Sequence, residues 1–159
     1  MFEFFKKKQA DEQLYAAVGG TLHALEESEE EVFAAKMMGE GFFIRPSSNT
    51  LYAPIDGKVA SIFPTKHAFT IESHQGSNLL IHIGIDTVEL AGAPFQLELA
   101  AGQKLTAGQK IGQIDFAAIE KAGKKTDTFV LFPDISEPEK IAITLGEAVQ
   151  GGSAIGKLQ

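Results

Sequence analysis

Cysteine is absent from the 159-residue chain, which excludes both a disulfide framework and a thiolate zinc site. Also absent is any apolar run long enough to cross a bilayer, and with a polar, lysine-bearing start this reads as a cytoplasmic protein. Positive charge is in short supply: 14 Lys and Arg against 21 Asp and Glu give a net charge of −7. That balance argues against non-specific nucleic-acid binding and for a partner with a basic face.

What is present is the composition of a soluble globular domain, with 44% apolar and 22% charged residues, and the length allows one core. Sixteen Gly and six Pro interrupt short apolar runs, so the expected fold class is all-β, an antiparallel β-sandwich or barrel-sandwich with one short helix. Strands are expected at Phe42–Arg45, Lys58–Phe63, His67–Glu72, Asn78–Ile85, Phe95–Leu99, Gln109–Ile114, Thr128–Phe132 and Lys140–Leu145. The helix is expected after Asp115 as cap, with Phe116 and Ile119 on one side and Gly123 ending it. Residues 1–13 read as a tail ahead of a single domain over 14–159, and residues 1–8 alternate aromatics with lysines. They are expected to be solvated and disordered, or else a short amphipathic helix making weak contact with an anionic membrane. The start Met-Phe-Glu-Phe-Phe-Lys favours a free-standing protein.

Tyr15–Leu25 aligns without gaps to Tyr52–Ile62, sharing Tyr, Ala and Gly, with apolar matches at Val18/Ile55, Leu22/Val59 and Leu25/Ile62. A turn ending in Gly followed by an alternating strand would explain both copies, and it points to an internal duplication, a duplicated hybrid motif. A second echo, Ala101-Gly-Gln-Lys and Ala107-Gly-Gln-Lys, reads as two successive turns flanking Leu105.

Two of the four histidines stand out. His23 lies among glutamates and His74 in a turn, and both are expected at the surface. His82 interrupts the apolar run Leu79–Ile85, where Leu79, Ile81, Ile83 and Ile85 share one face and Leu80, His82 and Gly84 the other. Gly84 leaves space before the imidazole and permits close backbone approach to an anion. A hairpin turning at His74–Gln75 would set His67 opposite His82, close enough for two imidazoles to bracket a phosphate. That register, however, puts Phe69 and Ile71 on the histidine face. A one-residue slip would unite them with Ile81 and Leu79 and separate the histidines. Both registers stay open; a bulge near Gly76, or an apolar docking surface around the histidines, would reconcile them.

Phe63-Pro-Thr-Lys-His-Ala-Phe-Thr-Ile-Glu72 and Leu80-Ile-His-Ile-Gly-Ile-Asp-Thr-Val-Glu-Leu90 closely resemble the glucose-type enzyme IIA of the bacterial phosphoenolpyruvate-dependent sugar phosphotransferase system. The resemblance extends through Val32–Gly41, Tyr52–Gly57, Gly102, Gln103, Gly108 and Thr128–Phe132. It implies a phosphotransferase component with a β-sandwich fold, in which His82 accepts a phosphoryl group. His67 would position the phosphate and Thr65 would orient His67. The donor would be the phosphohistidine carrier HPr, and the acceptor the IIB domain of a sugar permease. Phe33, Phe63, Leu80 and Val88 fall where the family has an apolar docking surface. Asp86 and Glu30 match two acidic positions that meet partner arginines, with Glu30 standing where the family usually has Asp. Regulatory protein targets would use the same surface. The carbonyl of Gly84 is expected to tie Nδ1 of His82, leaving Nε2 as nucleophile, and no cofactor or metal is expected.

Two other classes compete. A zinc metallopeptidase of related architecture needs a His-x-His pair, and here Ile83 and Gly84 follow His82. A lipoyl or biotinyl carrier shares Tyr52–Val59 and Gly108–Gly112 in outline, but the only Lys-Met pair, Lys36-Met37, precedes both segments.

Overall fold

The computed structural model describes residues 10–159; the expectation for residues 1–8 lies outside the described residues. Along the chain run β1 (Glu12–Tyr15), β2 (Gly20–Ala24), α1 (Glu31–Ala34), β3 (Glu40–Pro46), β4 (Thr50–Tyr52), β5 (Gly57–Ile62), β6 (Ala68–Ser73) and β7 (Asn78–Ile83). Then come β8 (Phe95–Leu97), β9 (Lys104–Leu105), β10 (Lys110–Ile114), α2 (Phe116–Lys121), β11 (Thr128–Phe132), β12 (Ile141–Ile143), β13 (Ala148–Val149) and β14 (Ala154–Leu158). The described strands pair antiparallel in one eight-stranded sheet, β13-β2-β3-β11-β7-β6-β5-β9, and two three-stranded sheets, β1-β14-β12 and β4-β10-β8. No described helix is long and apolar enough to cross a membrane. Strand β1 starts ahead of the expected boundary at Leu14: Glu12 pairs with Leu158 and accepts hydrogen bonds from Ser73 Oγ (2.9 Å) and Gln75 N (3.2 Å).

The internal echo is a two-fold relation. Strands β13, β2, β3 and β11 repeat as β9, β5, β6 and β7, and the axis passes through the Val130–Ile81 pair at the centre of the large sheet. Reciprocal hydrogen bonds cross it: Tyr15 N donates to Pro54 O and Tyr52 N to Ala17 O, each at 2.8 Å. The small sheets obey the same relation, since Leu14 pairs with Gly156 as Leu51 pairs with Gly112. Counting along the ladders makes His82 the counterpart of Leu131 and His67 the counterpart of Glu40.

Packing explains why the central strands lack alternation. On one face of the large sheet Leu79, Ile81, Ile83, Val130, Phe132, Phe42 and Ile44 enter the main core. On the other, Phe43, Phe129, Leu131, Leu80 and Ala68 form a second cluster roofed by Leu25 and Phe33. Strands buried on both faces read as continuous apolar runs. Aromatic pairs at this spacing contribute roughly 0.5–1.5 kcal/mol each beyond area burial; Phe33–Phe129 and Phe43–Phe129 lie at 4.7 and 5.4 Å.

Helix α2 forms as expected, with the Asp115 carboxylate accepting from Ala118 N at 3.0 Å. A second helix, α1, was not foreseen. It is a single turn, too short for periodicity to reveal, and is capped by Glu30 Oε1 accepting from Val32 N at 3.0 Å. The Gly102 and Gly108 turns flank buried Leu105, with Gln103 and Gln109 side chains accepting from Ala100 N and Thr106 N.

Candidate functional site

His82 sits at the end of β7, directly across from Ala68 on one side and Phe129 on the other. The register is the slipped one: Phe69 pairs with Ile81 and Ile71 with Leu79. Burying four apolar side chains in the main core decides it. His67 therefore does not stand opposite His82. The two rings nevertheless meet, with centroids 5.1 Å apart and planes at 81°. No bulge near Gly76 is involved; the irregularity in this part of the sheet falls between Val59 and Ser61. What brings the rings together is the chain's entry into β6. Lys66 adopts a left-handed conformation (φ 58°), and Lys66 N donates to Phe63 O. His67 consequently lies just outside the ladder, while its carbonyl accepts from Ile83 N at 2.7 Å. Ala68, facing His82 with only a methyl group, leaves the space the second ring fills.

Each imidazole is tied at Nδ1. His82 Nδ1 lies 2.9 Å from Gly84 O, and a carbonyl only accepts, so Nδ1 carries the proton and Nε2 keeps its lone pair. His67 Nδ1 lies 2.7 Å from Thr65 Oγ1. Among the described residues neither Nε2 has a hydrogen-bond partner. Phe33 meets His82 edge-on at 5.1 Å, and Phe63 meets His67 at 5.3 Å. Desolvation, then the neighbouring His67, push His82 down to about 4, although the Gly84 carbonyl and Asp86 act in the opposite direction. Desolvation also lowers His67. Both rings are thus neutral at pH 7, a state suited to nucleophilic attack.

Gly84 holds the pivot. Its φ is +79°, and a Cβ there would come within 2.4 Å of Thr87 Cγ2 and 2.9 Å of Lys125 O. The swivel ends β7 at Ile83 and carries Ile85 to the second cluster, not to the core face that strand alternation implied. Beyond it Asp86, exposed and itself left-handed, begins a 3₁₀ turn over Thr87–Leu90.

The expected docking residues separate by exposure. Phe63 (41%) and Val88 (49%) are presented to solvent, whereas Phe33 and Leu80 (8% each) lie under the surface. Glu30 caps the helix that holds Phe33 against His82. Three neighbours escaped sequence reasoning. Phe129, on the strand adjoining His82, lies inside an unbroken apolar run that signals burial but not proximity. Val32, 41% exposed on α1, needed that helix to be recognised. Ala68 had no signal at all. His23, expected at the surface, is half-buried: it stacks on Phe43 at 5.1 Å and bonds Thr21 and Glu27.

Among the described residues no group of three or more His, Asp or Glu side chains is arranged to hold a metal. Lys36 lies between the carboxylates of Glu26 and Glu40, 3.2 Å from each, and not at a hairpin tip.

Comparison with known proteins gives a consistent result. A family model described as phosphoenolpyruvate-dependent sugar phosphotransferase system, EIIA 1, matches residues 12–137. The chain is 36% identical over 148 residues to a glucose-specific EIIA component of that system from Mycoplasma capricolum, covering 93% of this chain and 94% of the relative. It is 39% identical over 152 residues to a glucose-specific EIICBA component from Streptococcus pneumoniae; this covers 96% of the chain but only 21% of that longer relative. The solved structure of glucose permease IIA from Mycoplasma capricolum superimposes with a TM-score of 0.87 at 33% identity, each chain covered in full.

Proposed function

The chain belongs to the EIIA 1 family of the phosphoenolpyruvate-dependent sugar phosphotransferase system and is a phosphoryl carrier of that system, and on that premise we propose that His82 takes up the phosphoryl group on Nε2. The observation that carries this reading is the pair of perpendicular rings 5.1 Å apart, each fixed at Nδ1 and open at Nε2. The donor is phosphorylated HPr and the acceptor the IIB domain of a sugar permease, with the exchange taking place in the cytoplasm.

In uptake the donor nitrogen keeps the electron pair of its breaking P–N bond, and His82 Nε2 supplies the pair for the new one. The Nδ1 proton stays in place throughout. Gly84 O, 2.9 Å away, stabilises the positive charge that develops on the ring as the bond forms. His67 donates to a phosphoryl oxygen, in the orientation Thr65 sets, and the work is chiefly positioning. Phe63 and Val88 present apolar surface to the partner, supported from beneath by Phe33 and Leu80. Asp86 and Glu30 add negative charge for partner arginines.

Incubation with phosphoenolpyruvate, enzyme I and HPr, followed by mass spectrometry under alkaline conditions, tests the reading. One acid-labile phosphoryl group on His82 is expected. Labelling at any other residue would remove His82 from the role.

A further inference from the structure

The geometry of Gly84 decides which nitrogen of His82 is free, so whatever orients Gly84 acts on the reacting atom at one remove. Its backbone N–H donates to Asp127 O at 2.8 Å, and the next N–H, that of Ile85, donates to Lys125 O at 3.1 Å. Both acceptors belong to residues 124–127, the connection leading into β11.

Three ion pairs converge on these four residues. Lys124 Nζ bonds Glu89 Oε1 at 2.7 Å, which links the connection to the 3₁₀ turn behind Asp86. Lys125 Nζ lies 3.3 Å from Glu29 Oε2, beside the cap of α1. Arg45 Nε lies 3.4 Å from Asp127 Oδ1. The first two pairs join acceptors whose side chains are 62% and 72% exposed, where solvent and salt leave little net attraction. The Asp127 side chain is only 8% exposed. Arg45 is its sole side-chain partner among the described residues, and a carboxylate that far from water suffers most when its counter-charge is removed. Arg45 itself is steadied by lying 5.5 Å over the Phe43 ring.

We propose that Asp127 and Arg45 are positioning residues for phosphoryl uptake: their ion pair anchors the 124–127 connection, whose carbonyls orient Gly84 and thereby fix His82 as the Nδ1–H tautomer. The inference rests on the reading of His82 as phosphoryl acceptor. It assigns a task to the Asp127 carboxylate, which meets neither imidazole, and it makes the Arg45 side chain part of the site's support from β3, two strands across the sheet from His82.

The test combines ¹H–¹⁵N imidazole spectra of His82 at neutral pH with rates of phosphoryl uptake from phosphorylated HPr, for the natural chain, Asp127→Asn, Arg45→Gln and Arg45→Lys. The natural chain should show one tautomer. Asp127→Asn and Arg45→Gln should both show a second tautomer and lose about tenfold in kcat with KM for HPr unchanged, as for a small misplacement of a reacting group. Arg45→Lys should restore both readouts. Asp127→Asn removes the buried charge that Arg45→Gln leaves unpaired, so a folded Asp127→Asn with a single tautomer and unaltered kcat decides against the inference even where Arg45→Gln unfolds. A single tautomer and an unaltered kcat in Arg45→Gln overturn the inference, as does a rise in KM alone, which would make Arg45 a docking contact. Should the natural chain take up no phosphate while the tautomer still responds to Arg45, the positioning role stands and the assignment of His82 as acceptor falls.

Discussion

The two halves of the large sheet share a backbone and differ in chemistry. Where one has His82, the other has Leu131; where one has His67, the other has Glu40. The turn before each is left-handed, at Lys66 (φ 58°) and at Gly39 (φ 91°). Glu40 is buried and paired with Lys36 at 3.2 Å, so a closed ion pair stands where the other half sets an equally buried imidazole edge-on to His82. The fold alone does not make the site. Two histidines, their Nδ1 partners and a pivot glycine do, and the second half shows the same architecture serving only packing.

Replacing the counterparts should produce opposite losses. His82→Gln should abolish acid-labile labelling from phosphorylated HPr while leaving the circular dichroism of the folded protein unchanged. Leu131→Ala, a truncation in a closed cluster, should lower stability by about 2–5 kcal/mol in urea unfolding, with the folded fraction still taking up phosphate. Labelling of His82→Gln at the natural rate would mean that the carrier nitrogen lies elsewhere.

The next pair is smaller in effect. His67→Gln should allow uptake but slow onward transfer to the IIB domain, read as persistence of the phosphoprotein when acceptor is added. Glu40→Gln leaves half-exposed Lys36 short of one partner and should cost about 1–3 kcal/mol of stability, with neither transfer step altered. Normal onward transfer in His67→Gln would break the comparison, since both counterparts would then be structural.

Much of this was legible in the sequence, and the failures have physical causes. All eight expected strands exist, because each is an apolar run bounded by turn residues. The Asn78–Ile85 run ends early, at Ile83, since Gly84 is left-handed, and Lys140–Leu145 shrinks to Ile141–Ile143 behind a 3₁₀ turn at Pro138–Lys140. Strands β1, β4, β9, β13 and β14 went unread. Four have two to four residues, and β14 carries Gly156, placed where a Cβ would come within 2.0 Å of Ala142 O. The duplication was visible because Tyr, Ala and Gly serve the same crossing twice. His82, Gly84 and the Nδ1 bond were legible as residues in a pattern. The register was not, because it depends on which apolar pairs the core accepts, and the meeting of the rings depends on one left-handed lysine with no sequence signature.

Protonation separates the halves more gently. With His82 depressed to about 4, chiefly by desolvation, the unfolded chain binds the proton more tightly than the folded one across the interval from about 6.5 down to about 4. Its contribution to stability is therefore present above pH 6.5 and declines as the pH falls through that window; Leu131, its counterpart, contributes nothing that titrates. A carbon-detected titration of the His82 ring should show its midpoint well below 6.5, and the nucleophile should remain neutral to pH 5 or so. A midpoint at 6.5 or above would mean that water reaches the ring freely and that Phe33 and Phe129 do not shield it.

The smallest difference lies in the paired turns. An L-residue in the left-handed region costs roughly 1–2 kcal/mol, and Lys66 bears that cost where the other half uses glycine. Gly39 has no choice, since a Cβ there would come within 2.1 Å of Phe132 O. Lys66→Gly should relieve the strain, less the entropy lost in ordering a glycine, for a net gain of about 0.5–1 kcal/mol. At this chain length that corresponds to about 1–4 °C in thermal unfolding. Because the turn also delivers Thr65 to His67, the uptake rate measured alongside tells whether the lysine is kept for rigidity. A higher Tm with unchanged uptake makes the strain incidental. A higher Tm with slower uptake means that the stiffness of a non-glycine residue is what holds the second imidazole over the first.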